Sequence, residues 1–132
     1  MKVTRFDPRD DLIVVTARVW GPQRHKQVSL AVDTAATETL ITPDVLDDLG
    51  YSARQGEKIT VVHSAIGAER GYTMRVARFT ALGFTSNDFR IHVHDLPEET
   101  GVEGLLGLSF LRQFNYEIRS AEGRILVDRI AT

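Results

Sequence analysis

The stretch Val28-Ser29-Leu30-Ala31-Val32-Asp33-Thr34-Ala35-Ala36-Thr37 decides the reading of this chain. Val28, Leu30 and Val32 alternate with Ser29 and Ala31, the pattern of a half-buried strand, and the strand runs directly into one carboxylate followed by small side chains. A carboxylate in that setting sits at the edge of a core. Two roles are open to Asp33 on this segment alone. Either its side chain satisfies turn amides, as Asp does after many strands, or it carries chemistry where the small residues let backbone or ligand approach.

A second segment, Gly104-Leu105-Leu106-Gly107-Leu108-Ser109-Phe110-Leu111, bears on that choice. Leu105 and Leu106 form a short apolar run between two glycines, and Leu108, Leu111 and Phe114 then recur at helical spacing. Taken with Val32-Asp33-Thr34-Ala35-Ala36 and the apolar pair Leu40-Ile41, this segment resembles the single-domain aspartic proteases of the retropepsin type. In that family an Asp-Thr-Gly-Ala run is followed, later in the chain, by two apolar residues and a Gly that lead into a short helix. Ala35 stands where the family has Gly. Both motifs in the right order make the likeness specific, and it covers most of the chain. It implies a mainly β, retropepsin-like (acid protease) closed β-barrel-like fold with one or two short helices, a single such domain over residues 1–132, and a homodimer.

Composition agrees with one globular domain. A chain of 132 residues buries roughly two-thirds of its unfolded surface without needing disulfides or metal. Lys and Arg total 16 against 18 Asp and Glu, with 42% hydrophobic residues, so no nucleic-acid partner is expected. The chain has no cysteine, which excludes thiol catalysis, disulfides and cysteine-based zinc sites. Met1 to Asp11 contains no long apolar run, so neither a signal peptide nor a membrane partner is expected, and the default location is cytoplasmic.

Several further elements are legible. Leu12 to Trp20 is rich in β-branched residues and stops at Gly21-Pro22, which predicts a strand and a hairpin with the Asp33 strand. Arg24, His25 and Lys26 read as a solvated basic tip with no role for His25. Thr39 to Ile41 reads as extended. Thr42 to Gly50 reads as a short helix with Thr42 at the N-cap, Pro43 at the first position and Gly50 as the stop, and with Asp47 and Asp48 solvated. Residues 57–63 and 72–79 read as strands flanking 64–71, and 89–95 as an alternating strand with His92 and His94 on its polar face beside Arg90. Two histidines two apart on a strand share a face, a geometry suited to zinc or copper, but no other clear ligand is near in sequence. No metal ligand and no cofactor is assigned. Tyr116 to Arg119 and Arg124 to Val127, around Ser120 to Gly123, read as a closing hairpin.

Hydrolysing an unactivated peptide bond requires a nucleophilic water and a proton for the leaving nitrogen, and two carboxylates sharing one proton supply both. Only Asp33 follows an apolar strand and precedes Thr and small residues, so the second carboxylate must come from another copy. The resemblance implies the same arrangement, with the cleft on the two-fold axis. It assigns Asp33 as catalytic, Thr34, Ala35 and Ala36 as the active-site loop, with Thr34 bracing the paired loops and Ala36 packing beneath, and Leu105, Leu106 and Gly107 as support. It also places Ile66 and Gly67 near the tip of a substrate-binding flap. The expected partners are the chain itself and a peptide or protein substrate. The alternative is a catalytically impaired dimer of the same fold serving as a peptide-binding or assembly module, with Ala35 marking the loss.

Overall fold

A computed structural model describes residues 1–56, 58–64 and 67–130. Its elements in chain order are β1 (Lys2–Arg5), β2 (Val14–Trp20), β3 (His25–Val32), β4 (Leu40–Ile41), α1 (Pro43–Asp48), β5 (Lys58–Ser64), β6 (Gly67–Ala81), β7 (Phe84–Val93), β8 (Gly104–Leu106), α2 (Leu108–Leu111), β9 (Phe114–Arg119) and β10 (Arg124–Arg129). Strands β2, β3, β8, β4, β7 and β6 pair in that order, and β2 pairs again with β6, which closes a six-stranded barrel. Closure removes the exposed edges that an open sheet of these apolar strands would leave. Strand β5 pairs with the first half of β6 outside the ring, and β1, β10 and β9 form a separate antiparallel sheet.

Alternation sets which side chains enter the barrel. Val15, Ala17 and Val19 of β2, Val28 and Leu30 of β3, Met74, Val76 and Phe79 of β6, and Ile91 and Val93 of β7 are all buried. Phe110 of α2 reaches this core, with its ring centroid 5.2 Å from Phe79, 5.8 Å from Phe89 and 5.1 Å from Phe114. The barrel seam is fastened by Tyr51, whose hydroxyl donates to the Trp20 carbonyl at 2.9 Å and accepts from the Ala77 amide at 2.9 Å. Burying a phenol at a strand junction is favourable only because both of those backbone groups meet it.

Three local readings are revised, and one strand is new. Strand β6 runs on to Ala81 and turns into β7 through Leu82 (φ 54°) and Gly83 (φ 82°), a left-handed pair suited to a two-residue hairpin. Leu is a rare choice for that conformation, so the sequence carries no turn signal there. The segment Lys2–Arg5 is a strand because β10 supplies its backbone partners, which its own charged sequence does not suggest. Lys26 is no solvated tip residue: its Nζ lies 2.6 Å from Asp48 Oδ2, and that carboxylate holds the lysine above its ordinary range. His94 is buried rather than on an open polar face, because β7 ends at Val93 and the chain then passes the end of β4, with the His94 amide donating to the Ile41 carbonyl at 3.3 Å.

Helix α1 begins at Pro43 as expected, without a side-chain bond from Thr42, and Gly50 follows it at φ 87°. Helix α2 is a single turn that ends at Leu111, because the chain enters β9 at Phe114. Among the described residues no helix is long and apolar enough to cross a membrane.

Candidate active site

Strand β8 lies between β3 and β4, parallel to the first and antiparallel to the second. The chain leaving β3 must therefore pass over the end of β8 to reach β4. Residues 33–39 make that crossing, and Asp33 is its first residue. The Val32 amide donates to the Ile13 carbonyl at 2.8 Å and the Asp33 amide to the Leu106 carbonyl at 3.0 Å, so backbone on both sides fixes the point where the carboxylate emerges.

Asp33 fills the turn-forming role with one of its two carboxylate oxygens. Its Oδ1 accepts the Ala35 amide at 2.9 Å and its carbonyl accepts the Ala36 amide at 3.2 Å, which folds the loop tightly around the side chain. Its Oδ2 accepts no hydrogen bond, and no cation pairs with the carboxylate, among the described residues. One oxygen is thus fixed and the other is uncommitted on a partly exposed residue. Thr34 and Ala35 are exposed and Ala36 is half-buried. Positive φ at non-glycine positions is confined to Leu82 and Asp88 among the described residues, so Ala35 adopts a backbone conformation open to any L residue. Replacing a glycine here carries no left-handed strain, and what the methyl changes is the space beside the carboxylate.

The far side of the loop is locked to β8 and α2. The Leu108 amide donates to the Ala36 carbonyl at 2.8 Å and the Ser109 amide to the Thr37 carbonyl at 2.9 Å. Thr39 is fully buried: its Oγ1 accepts the Gly107 amide at 3.2 Å and the Ser109 hydroxyl at 3.1 Å, while its amide donates to Ser109 Oγ at 2.8 Å. Each neutral bond contributes about 0.5–1.5 kcal/mol net, but leaving one of these buried groups unpaired costs about 1–3 kcal/mol, so the set acts as a latch. Neither Thr39 nor Ser109 stood out in the sequence, since they are 70 positions apart and only the crossing brings them together. Arg90 Nη2 adds a half-exposed ion pair to Glu38 at 2.8 Å, a contribution that solvent keeps small.

Leu105, Leu106 and Gly107 stand beside the Asp33 loop. Leu106 is fully buried and pairs with Val32, and Leu105 lies between Ala31 and Leu40. At Gly107 a Cβ would strike the Glu38 carbonyl and come within 2.8 Å of the Ala36 carbonyl oxygen. The glycine is required by close backbone approach, not by its dihedral angles, since its φ is −101°. Gly107→Ala is therefore expected to displace the Asp33 loop, with a stability loss of about 1–3 kcal/mol measurable by denaturant titration and a larger proportional loss of function. A stability and activity equal to the parent's would mean that the loop does not depend on this contact. Of the two flap residues, Ile66 lies outside the described residues, and Gly67 opens β6 opposite Ser64.

Among the described residues no group of three or more potential metal ligands comes together. Burial holds His92 below the ordinary imidazole range, and the neighbouring His94 adds to the effect.

The sequence profile of the aspartyl protease family matches residues 15–110, a span that includes both motifs and the crossing between them. The chain belongs to that family. Among solved structures it is similar over 96% of its length to a retropepsin-like aspartic protease from Rickettsia conorii, of which 96% is covered, with a TM-score of 0.69 at 19% identity. It is also similar to EIAV protease complexed with the inhibitor HBY-793, with a TM-score of 0.58 at 18% identity over 79% of this chain and 88% of that one. No curated protein matches it in sequence.

Proposed function

We propose that the chain is an aspartic endopeptidase that works as a homodimer, each copy supplying one Asp33. The observation that carries this reading is the state of that carboxylate: one oxygen fixed by the Ala35 amide, and, among the described residues, no hydrogen-bond partner for the other and no cation beside it. A lone carboxylate can activate water but cannot also hold the proton that the carbonyl oxygen requires. Paired across a two-fold axis, one Asp33 stays ionised and removes a proton from water as the oxygen attacks the scissile carbonyl, while its protonated mate donates to the carbonyl oxygen. The proton taken from water then passes to the leaving nitrogen as the C–N bond breaks, while the mate, now ionised, takes a proton back from the collapsing diol and the carboxylic acid product forms. Exposed Thr34 and Ala35 leave the loop tip available for the mate. The open edge of β1, with exposed Met1 and Val3 and the nearby exposed Ile130, offers further surface for self-association. The hairpin of β5 and β6 is the flap of this proposal, lying over a bound peptide or protein substrate.

The test is cleavage of a diverse peptide library as a function of protein concentration, alongside sedimentation. Activity per chain is expected to rise with the dimer fraction, and Ala35→Gly is expected to preserve or raise it by giving the substrate backbone more room. A well-folded protein that sediments only as monomer at micromolar concentration and above would refute the shared-carboxylate mechanism. The methyl of Ala35 favours a second reading, a dimer that binds peptides without cutting them. That reading prevails if neither parent nor Ala35→Gly cleaves any peptide between about pH 3 and about pH 7, the range in which paired aspartates work.

A further inference from the structure

The outward face of the barrel at the β2–β6 seam is charged in a way that proteolysis does not use. Alternation along β2 sends Thr16, Arg18 and Trp20 outward, and register places Gln27 and Thr80 beside Arg18, with His25 and Arg78 beside Trp20. The Arg18 guanidinium bonds to His25 Nδ1 at 2.6 Å and to Gln27 Oε1 at 3.3 Å, and neither partner is a carboxylate. Its charge is therefore oriented but not neutralised. No carboxylate pairs with it among the described residues, whereas Arg9, Arg90, Arg119 and Arg124 each face one.

Beside Arg18 lies a pocket of about 230 Å³. Its walls include the hydroxyl-bearing Thr4, Thr16 and Thr80, the Gln27 amide and the backbone of Gly83, and none of the residues lining it is acidic. Lys2 sits at its edge, with Nζ bonded to the Gly83 carbonyl. Thr4, Thr16 and Thr80 stand on three different strands, so hydroxyls approach from several sides around the guanidinium, that of Thr80 also bonded to Thr85 Oγ1 at 2.9 Å. A flat carboxylate needs one fork; a tetrahedral anion is better served by donors spread in this way.

We propose that this pocket is a phosphate-binding site, taking either free inorganic phosphate or the phosphate group of a phosphorylated side chain. Bound there, the anion bridges β1, β2 and β6 across the barrel seam, so occupancy raises the stability of the folded chain by mass action. The site and its test do not depend on whether the protein cleaves peptides.

The experiment is titration of the full chain with inorganic phosphate and, separately, with a phosphoserine peptide and its unphosphorylated counterpart. Calorimetry gives Kd, and thermal unfolding at constant ionic strength follows Tm. Arg18→Gln removes the oriented charge within the pocket, and Arg78→Gln removes a cation of the same face that does not line it. The parent and Arg78→Gln are expected to bind phosphate and gain Tm, with binding by Arg18→Gln weaker by about tenfold or more, the loss expected for charge-assisted hydrogen bonds. Tighter Arg18-dependent binding of the phosphopeptide identifies a modified protein as the source, and binding of inorganic phosphate alone identifies the free anion. Equal Tm gains in all three proteins would reflect the general stabilising action of phosphate on folded surfaces and overturn the proposal. So would the absence of any Arg18-dependent binding.

Discussion

Asp33→Asn is expected to abolish peptide cleavage while leaving the fold and the dimer in place. The amide is nearly isosteric with the carboxylate, and its oxygen still accepts the Ala35 amide that shapes the loop. Uncommitted Oδ2 becomes an NH₂ group, which can neither take a proton from water nor share one with its mate. In the proposed dimer the two-fold axis applies the change twice, so both the base and the acid are lost together. General acid–base catalysis contributes roughly 10²–10⁴-fold for each positioned group, so the residual rate should fall by at least the upper end of that range. Mixing the variant with parent chains provides a second readout. If each active centre needs two Asp33 carboxylates, an inactive partner in excess suppresses the parent by forming mixed dimers. Unchanged cleavage by the Asn variant would place the chemistry on other residues. Parent activity unaffected by excess variant would show that one Asp33 suffices.

Phe110→Ala is expected to have the largest effect on stability, a loss of about 3–5 kcal/mol. Its ring is completely buried and meets Phe79 and Phe89 edge-on and Phe114 at a tilt, so truncation opens a cavity where β6, β7, α2 and β9 converge. The consequence extends to the candidate site. Ser109 precedes Phe110 and carries the latch on Thr39 and Thr37, so a loosened α2 frees the far end of the Asp33 loop. Phe110→Leu, which retains most of the volume, should recover much of the loss. Denaturant unfolding at fixed chain concentration measures both variants, the concentration being held because the proposed dimerisation would contribute to the apparent stability. A Phe110→Ala loss of under about 1 kcal/mol would mean that the surrounding rings collapse to fill the space.

Much of the fold was legible because its decisive segments are local. The alternation of Val28, Leu30 and Val32, the punctuation at Gly21-Pro22 and Pro43, and the apolar pair before Gly107 each state their own conformation through side-chain chemistry that neighbours a few residues away do not override. The choice of Asp33 as the candidate carboxylate was legible for the same reason, since no other acidic residue has an apolar strand before it and small residues after it. The strand Lys2–Arg5 was not, because its pairing is provided by β10 from the opposite end of the chain. Nor was the Leu82-Gly83 turn, where the burial of Leu82 outweighs its reluctance to take positive φ.

The sequence by itself determined the strands and the one carboxylate in a small-residue loop, since periodicity and punctuation are carried by each segment, and the closed β fold followed from the resemblance that the two motifs carry. Only the tertiary structure decided how that carboxylate is held. Whether Ala35 must adopt positive φ, why Gly107 admits no side chain, and how Thr39 finds Ser109 all depend on the crossing of the 33–39 loop over β8. Contacts between backbones distant in sequence leave no periodic trace, because what they select is the absence of a methyl or the presence of one hydroxyl, and either residue type is ordinary when read alone.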